Sequence, residues 1–291
     1  MKIGIMSQEL TGASCVRDVF ERIRDLGCQQ VQLSFHPFLP PYPGPDSPMG
    51  RMPAYIPQEM IEKAAEASRD TGVEVSIMAG TWNMIARDMN DRDDGFLQLE
   101  RTMQACRVLG CPVINLCTGS KGPHMWCRSP ENDTLKAWTD ICVSMEKALT
   151  LAEHYSVTLG LEVEASNVIN TPEKAVRLMG EMKSERLKII LDGANLFRPG
   201  ECRRENASRV LGHAFELLGE SIAAVHGKDV KEGDDLDFTW FGNGIVDFDL
   251  MLSLLRDLGY EGGILLHGAH SEAEIPRAVE NLRRKLADAR M

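Results

Sequence analysis

The chain has 291 residues, of which 43% are apolar and 26% charged, and its 43 acidic side chains outnumber 32 basic ones. A net charge of −11 repels phosphate backbones, so we expect no nucleic-acid partner. The eight cysteines form no C-x-x-C pair and no apolar stretch approaches the roughly 20 residues of a membrane span, so we expect a cytoplasmic protein without a membrane partner.

Short apolar runs and amphipathic stretches alternate eight times along the chain. The apolar runs predict buried parallel strands over residues 2–6, 30–34, 74–78, 113–116, 158–161, 187–191, 222–225 and 263–266. The amphipathic stretches predict helices over residues 16–26, 57–71, 95–109, 135–154, 172–182, 208–218, 248–258 and 275–289. Several of them end in a glycine, as in Leu26-Gly27 and Leu109-Gly110, which is a typical helix stop.

Eight strand–helix units without a linker rich in Pro, Gly or Ser predict an α/β protein with a single domain over residues 1–291. The fold that such units build most simply is a closed (β/α)8 TIM barrel. The alternative is a doubly wound open sheet, which usually carries a Gly-rich phosphate turn after its first strand. Here the first strand is followed by Ser7-Gln8-Glu9-Leu10, so we favour the barrel.

Two long loops follow predicted strands. Residues 36–44 are rich in proline and follow the second strand, where a long loop is often a substrate lid or a contact in a homo-oligomer. A surface loop stiffened by proline is an equally good interpretation. Residues 119–133 follow the fourth strand and carry Lys121, His124, Trp126 and Arg128.

Four polar residues terminate successive apolar strands in the second half of the chain. They are Glu162, Asp192, His226 and His267. In a parallel barrel the carboxyl ends of the strands converge, so these side chains could form one mononuclear metal site. Their oxygen and nitrogen donors favour Mn²⁺, Fe²⁺, Co²⁺ or Zn²⁺ over Mg²⁺. A single such carboxylate more often caps a helix or pairs with Arg, but four together would crowd charge unless a cation were present.

Two further ionisable residues lie two positions beyond predicted ligands. Glu164 follows Glu162 and Lys228 follows His226 with the same side-chain parity, provided that the strands stay extended. Glu164 could be a ligand or a general base, and the alternative is a salt bridge at the barrel rim with Lys228 as its partner. The Lys228 ammonium could hydrogen-bond a substrate oxygen, whereas Asp229 is better suited to orienting its neighbours.

Trp82 and Trp126 lie in loops at strand ends and could provide apolar walls for the C–H face of a sugar. A place in the core is the competing interpretation for both. Gly242-Asn243-Gly244 is too short and isolated to predict a phosphate cradle, so we expect no phosphate site.

Three late-strand segments carry a family resemblance. Leu159-Gly160-Leu161-Glu162, Ile190-Leu191-Asp192-Gly193-Ala194-Asn195 and Val225-His226-Gly227-Lys228-Asp229 resemble motifs of the xylose isomerase-like TIM barrel superfamily of sugar phosphate isomerases and epimerases, which also includes family 2 AP endonucleases. The similarity extends from Lys2-Ile3-Gly4 to Glu280-Asn281-Leu282-Arg283. It implies that Glu162, Asp192 and His226 are metal ligands and that the enzyme acts on a carbohydrate.

The sequence departs from the family pattern at two positions. The last strand of these relatives usually ends in a second Glu, where this chain has His267, and the segment after Asp192 commonly ends in His, where this chain has Asn195. In the related epimerases the two Glu residues form a pair of acid/base groups. His267 keeps a possible ligand but removes that pair, which argues against a ketose 3-epimerase mechanism and favours chemistry with one base.

The sequence therefore predicts an isomerase or epimerase that uses one divalent metal ion and acts on a sugar, polyol or keto-sugar through an enediolate-like intermediate. Glu162, Glu164 and Lys228 are the predicted catalytic residues. Trp82, Asn83, Trp126 and Asn195 are the predicted substrate-binding residues. A dehydratase or lyase shares the first step of the reaction, and a barrel that binds carbohydrate without catalysis at a decayed site is the alternative outside enzymology.

Overall fold

The computed structural model describes residues 1–39 and 56–289, and within them eight parallel strands close into a barrel surrounded by eight α-helices. This arrangement confirms the predicted (β/α)8 fold. The barrel strands are β1 (Lys2–Met6), β2 (Gln30–Leu33), β3 (Glu74–Ala79), β4 (Val113–Leu116), β5 (Thr158–Glu162), β6 (Leu187–Asp192), β7 (Ile222–Val230) and β9 (Gly263–Leu266), and β8 (Phe238–Trp240) is a ninth strand outside the ring.

The helices follow the strands in regular alternation. They are α1 (Val16–Asp25), α2 (Gln58–Thr71), α3 (Met89–Leu109), α4 (Leu135–Tyr155), α5 (Pro172–Met182), α6 (Arg204–Leu218), α7 (Phe248–Asp257) and α8 (Ile275–Asp288). Among the residues described, no helix combines the length and apolar character needed to cross a membrane. The predicted loop at residues 36–44 lies outside the described residues from Pro40 onward.

Two elements differ clearly from their predicted bounds: helix α3 begins earlier and strand β7 ends later than the apolar pattern indicates. Helix α3 begins at Met89, six residues before the predicted start, because the Asp88 carboxylate accepts a hydrogen bond from the backbone N–H of Asn90 at 2.9 Å and caps the helix. Strand β7 runs five residues beyond its predicted end, to Val230, and its last residues pair antiparallel with β8. This hairpin stands above the barrel mouth and contributes Phe238 to the site.

The carboxylate of Asp229 holds the segment that follows β8 against the end of β7. It accepts hydrogen bonds from the backbone N–H groups of Val230, Gly242, Gly244 and Val246 at 2.8–3.1 Å. A Cβ atom at Gly244 would lie 2.2 Å from the Val230 carbonyl oxygen and 2.5 Å from the Asp229 carboxylate, so glycine is required for this close approach. Asp229 thus orients its neighbours, as expected, and the Gly242-Asn243-Gly244 segment binds a carboxylate of the chain itself.

Side-chain alternation along the strands fills the barrel with an apolar layer directly beneath the site. Ile77, Val113, Ile190, Ala224 and Leu265 come from five strands and pack together as a separate buried cluster. Each lies two residues before a residue of the barrel mouth, so both members of each pair face the interior. Asp192, His226 and His267 are three of those mouth residues.

Two glycines leave room for this layer. A Cβ atom at Gly4 on β1 would lie 2.3 Å from the Leu265 side chain, and one at Gly160 on β5 would lie 2.6 Å from the Ile190 side chain. Both distances are shorter than real Cβ contacts, so the two larger side chains fill space that an alanine would need. Gly160 precedes Glu162 by two residues and therefore lies below it on the same face of β5.

We expect Gly160→Ala to lower the free energy of unfolding by about 1–3 kcal/mol, because the added methyl group overpacks the barrel interior against Ile190. Chemical denaturation monitored by circular dichroism measures this change. The control is Gly212→Ala on α6, a half-buried position where no neighbouring atom of the described residues lies within 4 Å of the new Cβ and the better helix propensity should raise stability by up to about 1 kcal/mol. Equal stability of Gly160→Ala and the wild type would contradict close packing at this layer.

Candidate active site

The carboxyl ends of the barrel strands surround a cavity of about 610 Å³, a volume typical of sites for small molecules. Its floor is polar and includes Glu162, Glu164, Lys228 and His267. Its walls come from the loops above and include Met125, Trp126, Leu236 and Phe238. A polar floor under apolar walls suits a ligand with oxygen atoms on one side and C–H groups on the other.

The four residues predicted to bind metal lie together in this floor. One side-chain donor atom each from Glu162, Asp192, His226 and His267 falls within 4.8 Å of the other three. The backbone explains the convergence, since Asp192 and His226 are direct partners in the β6–β7 register and Glu162 ends the neighbouring strand β5. His267 follows the last residue of β9, and its imidazole packs edge-on against that of His226 with ring centroids 5.0 Å apart.

Glu162 is held by neutral donors and one imidazole. Its Oε1 accepts a hydrogen bond from Asn195 Nδ2 at 2.7 Å and lies 3.3 Å from His226 Nδ1. Its Oε2 accepts a hydrogen bond from Asn115 Nδ2 at 3.0 Å. Both carboxylate oxygens are therefore fixed in direction before any ligand binds.

Asp192 divides its two oxygens between the backbone and the site. Its Oδ1 accepts the backbone N–H of Ala194 at 2.9 Å, which pins the turn after β6. Its Oδ2 lies 3.0 Å from His267 Nε2 and 3.2 Å from Lys228 Nζ. Asp192 is thus the residue through which His267 and Lys228 are linked.

The charges of the site compensate for burial. Burial alone would raise the pKa of Asp192, but Lys228 and the two histidines hold that pKa well below its usual value. Burial would also raise the pKa of Glu162, but His226 and Lys228 outweigh it and lower that pKa. The pKa of Lys228 would fall on burial, yet Asp192 and the two glutamates raise it. Two carboxylates and one ammonium therefore coexist as ions in the barrel mouth.

Glu164 and Lys228 both line the cavity. Lys228 lies on β7, where strand parity applies, whereas β5 ends at Glu162 and Glu164 lies in the loop beyond it. Lys228 Nζ pairs with Asp192, donates a hydrogen bond to Asn195 Oδ1 at 2.6 Å, and lies 4.0 Å from the centre of the Phe238 ring. Glu164 instead accepts hydrogen bonds from the backbone N–H and hydroxyl of Ser166 at 3.2 and 3.1 Å. Burial raises the pKa of Glu164, and Lys228 offsets part of that rise. Glu164 lies outside the four-residue cluster, in the loop that follows β5.

The donor set of the cluster fits a divalent cation. Two carboxylates and two imidazoles match the ligands of Mn²⁺, Fe²⁺, Co²⁺ and Zn²⁺, and a cation would relieve the repulsion between two buried acids. His226 Nε2 lies 2.8 Å from Gln32 Oε1, an acceptor, so the ring donates on that side, and Nδ1 is the nitrogen that faces Glu162 and would coordinate an ion.

The predicted substrate-binding residues separate into two groups. Trp126 is 36% exposed and lines the cavity, so it can contact a ligand. Trp82 is 2% exposed and packs against Phe96 and Gly95 of α3, which places it in the core. The competing interpretation, a core role, therefore describes Trp82 and not Trp126.

Asn83 and Asn195 act beneath the cavity surface. Asn83 bonds through both ends of its amide to the backbone of Ser120, at 2.9 and 3.1 Å, and so joins the loop after β3 to the loop after β4. Asn195 is 1% exposed and bridges Glu162 and Lys228. These contacts orient the residues and loops that face a ligand.

A second set of buried amides fixes the loop that carries Glu164. Asn167 is fully buried, accepts the backbone N–H of Gly119 at 2.5 Å and donates to the carbonyl of Met125 at 2.8 Å. Asn132 donates to the carbonyl of Ser166 at 2.9 Å. In the loop after β4, which also carries Asn132, Lys121 forms a partly buried ion pair with Asp140 at 2.5 Å. The long excursion at residues 119–133 is therefore a fixed wall of the site.

Several residues of the site carried no distinctive sequence signal. Gln8, Gln32, Asn115 and Cys117 line the cavity from the strands and loops of the first half of the barrel. Reading strand parity on β2 and β4 would have found Gln32 and Asn115, since each faces the interior two residues after Gln30 and Val113. Phe238 cannot be assigned to the site from the sequence because the pattern does not predict β8, the strand that carries it.

Comparison with known proteins places this geometry in context. A family model described as xylose isomerase-like TIM barrel matches residues 20–285. L-ribulose-5-phosphate 3-epimerase UlaE of Escherichia coli is 24% identical over 293 aligned positions, which cover 99% of this chain and 94% of that protein.

Solved structures show the same fold over almost the whole chain. The crystal structure of 3-keto-D-glucoside 4-epimerase YcjR from E. coli superposes with a TM-score of 0.71 at 20% identity, over 98% of this chain and 99% of that one. The IolI protein, crystallised with a binding zinc atom, superposes with a TM-score of 0.70 at 17% identity, over 99% of this chain and 98% of that one.

Proposed function

The chain belongs to the xylose isomerase-like TIM barrel family, and on that premise we propose that it is a metal-dependent epimerase or isomerase. Its substrate would be a sugar or keto-sugar that reacts through an enediolate-like intermediate. The observation that carries the proposal is the convergence of Glu162, Asp192, His226 and His267 within 4.8 Å at the floor of a cavity of sugar-binding character. The epimerase activities of UlaE and YcjR support the same class of reaction.

The four converging side chains would hold the cation. A bound divalent ion supplies Lewis-acid chemistry, because it polarises a carbonyl and stabilises negative charge on adjacent oxygens. The oxygen and nitrogen donors favour Mn²⁺, Fe²⁺, Co²⁺ or Zn²⁺, and the zinc atom of IolI is consistent with that group of metals.

Proton transfer would fall to residues beside the cluster. Glu164 lines the cavity, takes part in no ion pair of the described residues and is held in place by Ser166, so it would accept the proton from the carbon next to the carbonyl. Lys228 would donate a hydrogen bond to the substrate oxygen on which negative charge develops. Trp126 and Phe238 would pack against the C–H face of the substrate.

His267 bears on which reaction follows the first proton transfer. Epimerisation must return a proton to the opposite face of the carbon, and relatives use a second glutamate at the position of His267. With His267 there, one carboxylate of β5 would serve as the base for isomerisation, or for elimination of water in a dehydratase. Product analysis separates the three outcomes, since epimerisation inverts one centre, isomerisation moves the carbonyl and elimination removes a hydroxyl.

The test combines metal analysis with a sugar panel. We expect the purified protein to contain about one equivalent of a divalent transition metal by elemental analysis, and to convert at least one of L-ribulose 5-phosphate, D-fructose and a 3-keto-D-glucoside. Asp192→Ala should lose most of the metal and remain folded, because it removes one donor from the cluster. A folded wild-type protein that binds no metal would instead favour a non-catalytic carbohydrate-binding barrel.

Restoring the carboxylate of the relatives should change the metal preference. We expect His267→Glu to raise the affinity for Mn²⁺ or Mg²⁺ relative to Zn²⁺, because a third carboxylate replaces a nitrogen donor. Competition titrations of the metal-free protein measure the ratio. If metal preference and activity are both unchanged, then the imidazole of His267 does not contact the ion.

Removing the basicity of Glu164 should separate catalysis from metal binding. Glu164→Gln keeps the shape of the side chain and its contact with Ser166, so we expect retained metal and a fall in kcat of about 10²–10⁴-fold. The matched control is Glu162→Gln, which should weaken metal binding because Glu162 is in the cluster. Exchange of the substrate proton with solvent deuterium at the wild-type rate in Glu164→Gln would show that the base lies elsewhere.

A further inference from the structure

Gln32 on β2 contacts the four-residue cluster through the imidazole of His226. Its side chain is fully buried, and its Oε1 accepts a hydrogen bond from His226 Nε2 at 2.8 Å. Its Nε2 is also buried but has no hydrogen-bond partner among the described residues, although Gln32 lines the cavity. A buried amide N–H without a partner costs free energy, so this group is suited to a ligand that supplies an oxygen.

The contact with His226 connects that free donor to the cluster. An imidazole that binds a cation through Nδ1 carries its proton on Nε2, which must then donate. Within the side-chain amide only the oxygen accepts a hydrogen bond. The Gln32 Oε1 therefore faces His226 Nε2, and the Gln32 Nε2 faces away from the ring. The direction of the amide, and hence the donor offered to the cavity, follows from the tautomer of the ring.

A second side-chain amide, that of Gln8, lies just after the neighbouring strand β1 and offers an acceptor where Gln32 offers a donor. Gln8 follows β1 and lines the same cavity, and its buried Oε1 is an acceptor that no residue in the described part of the chain satisfies. β1 and β2 are adjacent, with Met6 paired to Gln32 in the register. A hydroxyl group can accept from one amide and donate to another, whereas a phosphate or carboxylate could not donate to Gln8.

We propose that Gln32 has two roles: it is a positioning residue that holds His226 in the tautomer that binds metal, and together with Gln8 it binds a hydroxyl group of the substrate. The proposal rests on the proposed function and adds to it the side of the cavity on which a non-reacting hydroxyl lies. Glu164 and Ser166 come from β5 and its loop, across the barrel from β1 and β2. The substrate would therefore extend across the cavity, with its reacting carbon near Glu164 and a free hydroxyl at the Gln8–Gln32 pair.

Three variants separate the two roles. Gln32→Leu removes the acceptor for His226 and the donor for the hydroxyl, Gln32→Glu keeps an acceptor for His226 but removes the donor, and Gln8→Leu leaves His226 untouched. The first measurement is the affinity of the metal-free protein for Zn²⁺ in competition with a chromophoric chelator. The second is KM for whichever panel sugar the wild type converts, with thermal melts to establish that each variant is folded.

We expect Gln32→Leu to bind Zn²⁺ about 10–100-fold more weakly, while Gln32→Glu and Gln8→Leu stay within about threefold of the wild type. All three should raise KM by about tenfold or more, since each removes a hydrogen bond to a substrate hydroxyl. Equal loss of zinc affinity in Gln32→Leu and Gln32→Glu would overturn the positioning role. An unchanged KM in Gln32→Glu and Gln8→Leu would overturn the hydroxyl site.

These outcomes differ from a failure of the proposed function. A wild-type protein that binds zinc but converts no sugar refutes the enzyme and the hydroxyl site, while the zinc titrations still decide the role of Gln32 toward His226. A wild-type protein that binds no metal refutes the proposed function and this inference together.

Discussion

Closure of the eight parallel strands into one ring is the constraint on which the site depends. In a closed ring each strand has one inner face, and the period of two then places a mouth residue directly above an inner-layer residue. Ile190 and Asp192, Ala224 and His226, and Leu265 and His267 are three such pairs. The pairing of β6 with β7 completes the ring and sets Asp192 beside His226. The packing of the inner layer and the position of the mouth residues therefore both follow from the closed ring. Gly160 illustrates this, because it leaves room for Ile190 in the inner layer and lies directly beneath Glu162 on β5.

The second determinant is the charge that the ring concentrates. Two buried carboxylates repel each other, and each has lost most of its hydration. Lys228 offsets part of this cost through Asp192, and Asn195 extends its influence by bridging Lys228 and Glu162. The asparagine that replaces the histidine common in relatives thus has a structural use here, since its amide donates to the carboxylate and accepts from the ammonium at the same time. A site that retains such directed contacts does not have the features of a decayed one.

Much of this arrangement could be predicted from sequence, and the exceptions have physical causes. Apolar runs that end in Glu162, Asp192, His226 and His267 predict convergence because the carboxyl ends of parallel strands always share one face of a barrel. Trp82 could not be assigned in the same way, since a loop residue next to a strand end can turn toward either the cavity or the core. Its indole packs into the space that Gly95 leaves on helix α3, and this contact is visible only in the folded chain. Strand β8 has only three residues, which are too few for an alternating apolar pattern to be recognised, so its pairing with β7 could not be predicted. Gln32 lies in a strand, and its contact with His226 becomes visible only when β2 and β7 are brought together in the barrel.

His267 changes the electrostatic character of the site as well as its set of bases. With Glu162 and Asp192 ionised and Lys228 protonated, these three residues carry a formal charge of −1. An ionised Glu164 would bring the floor to −2, which a divalent cation would neutralise. A glutamate at position 267 would add one more negative charge. The imidazole therefore leaves a less negative centre, which would favour negative charge on a substrate oxygen and acidify the neighbouring C–H group. In the proposed reaction the substitution would remove a second carboxylate base but would add stabilisation of the charged intermediate, so that Glu164 would be the base on the remaining side.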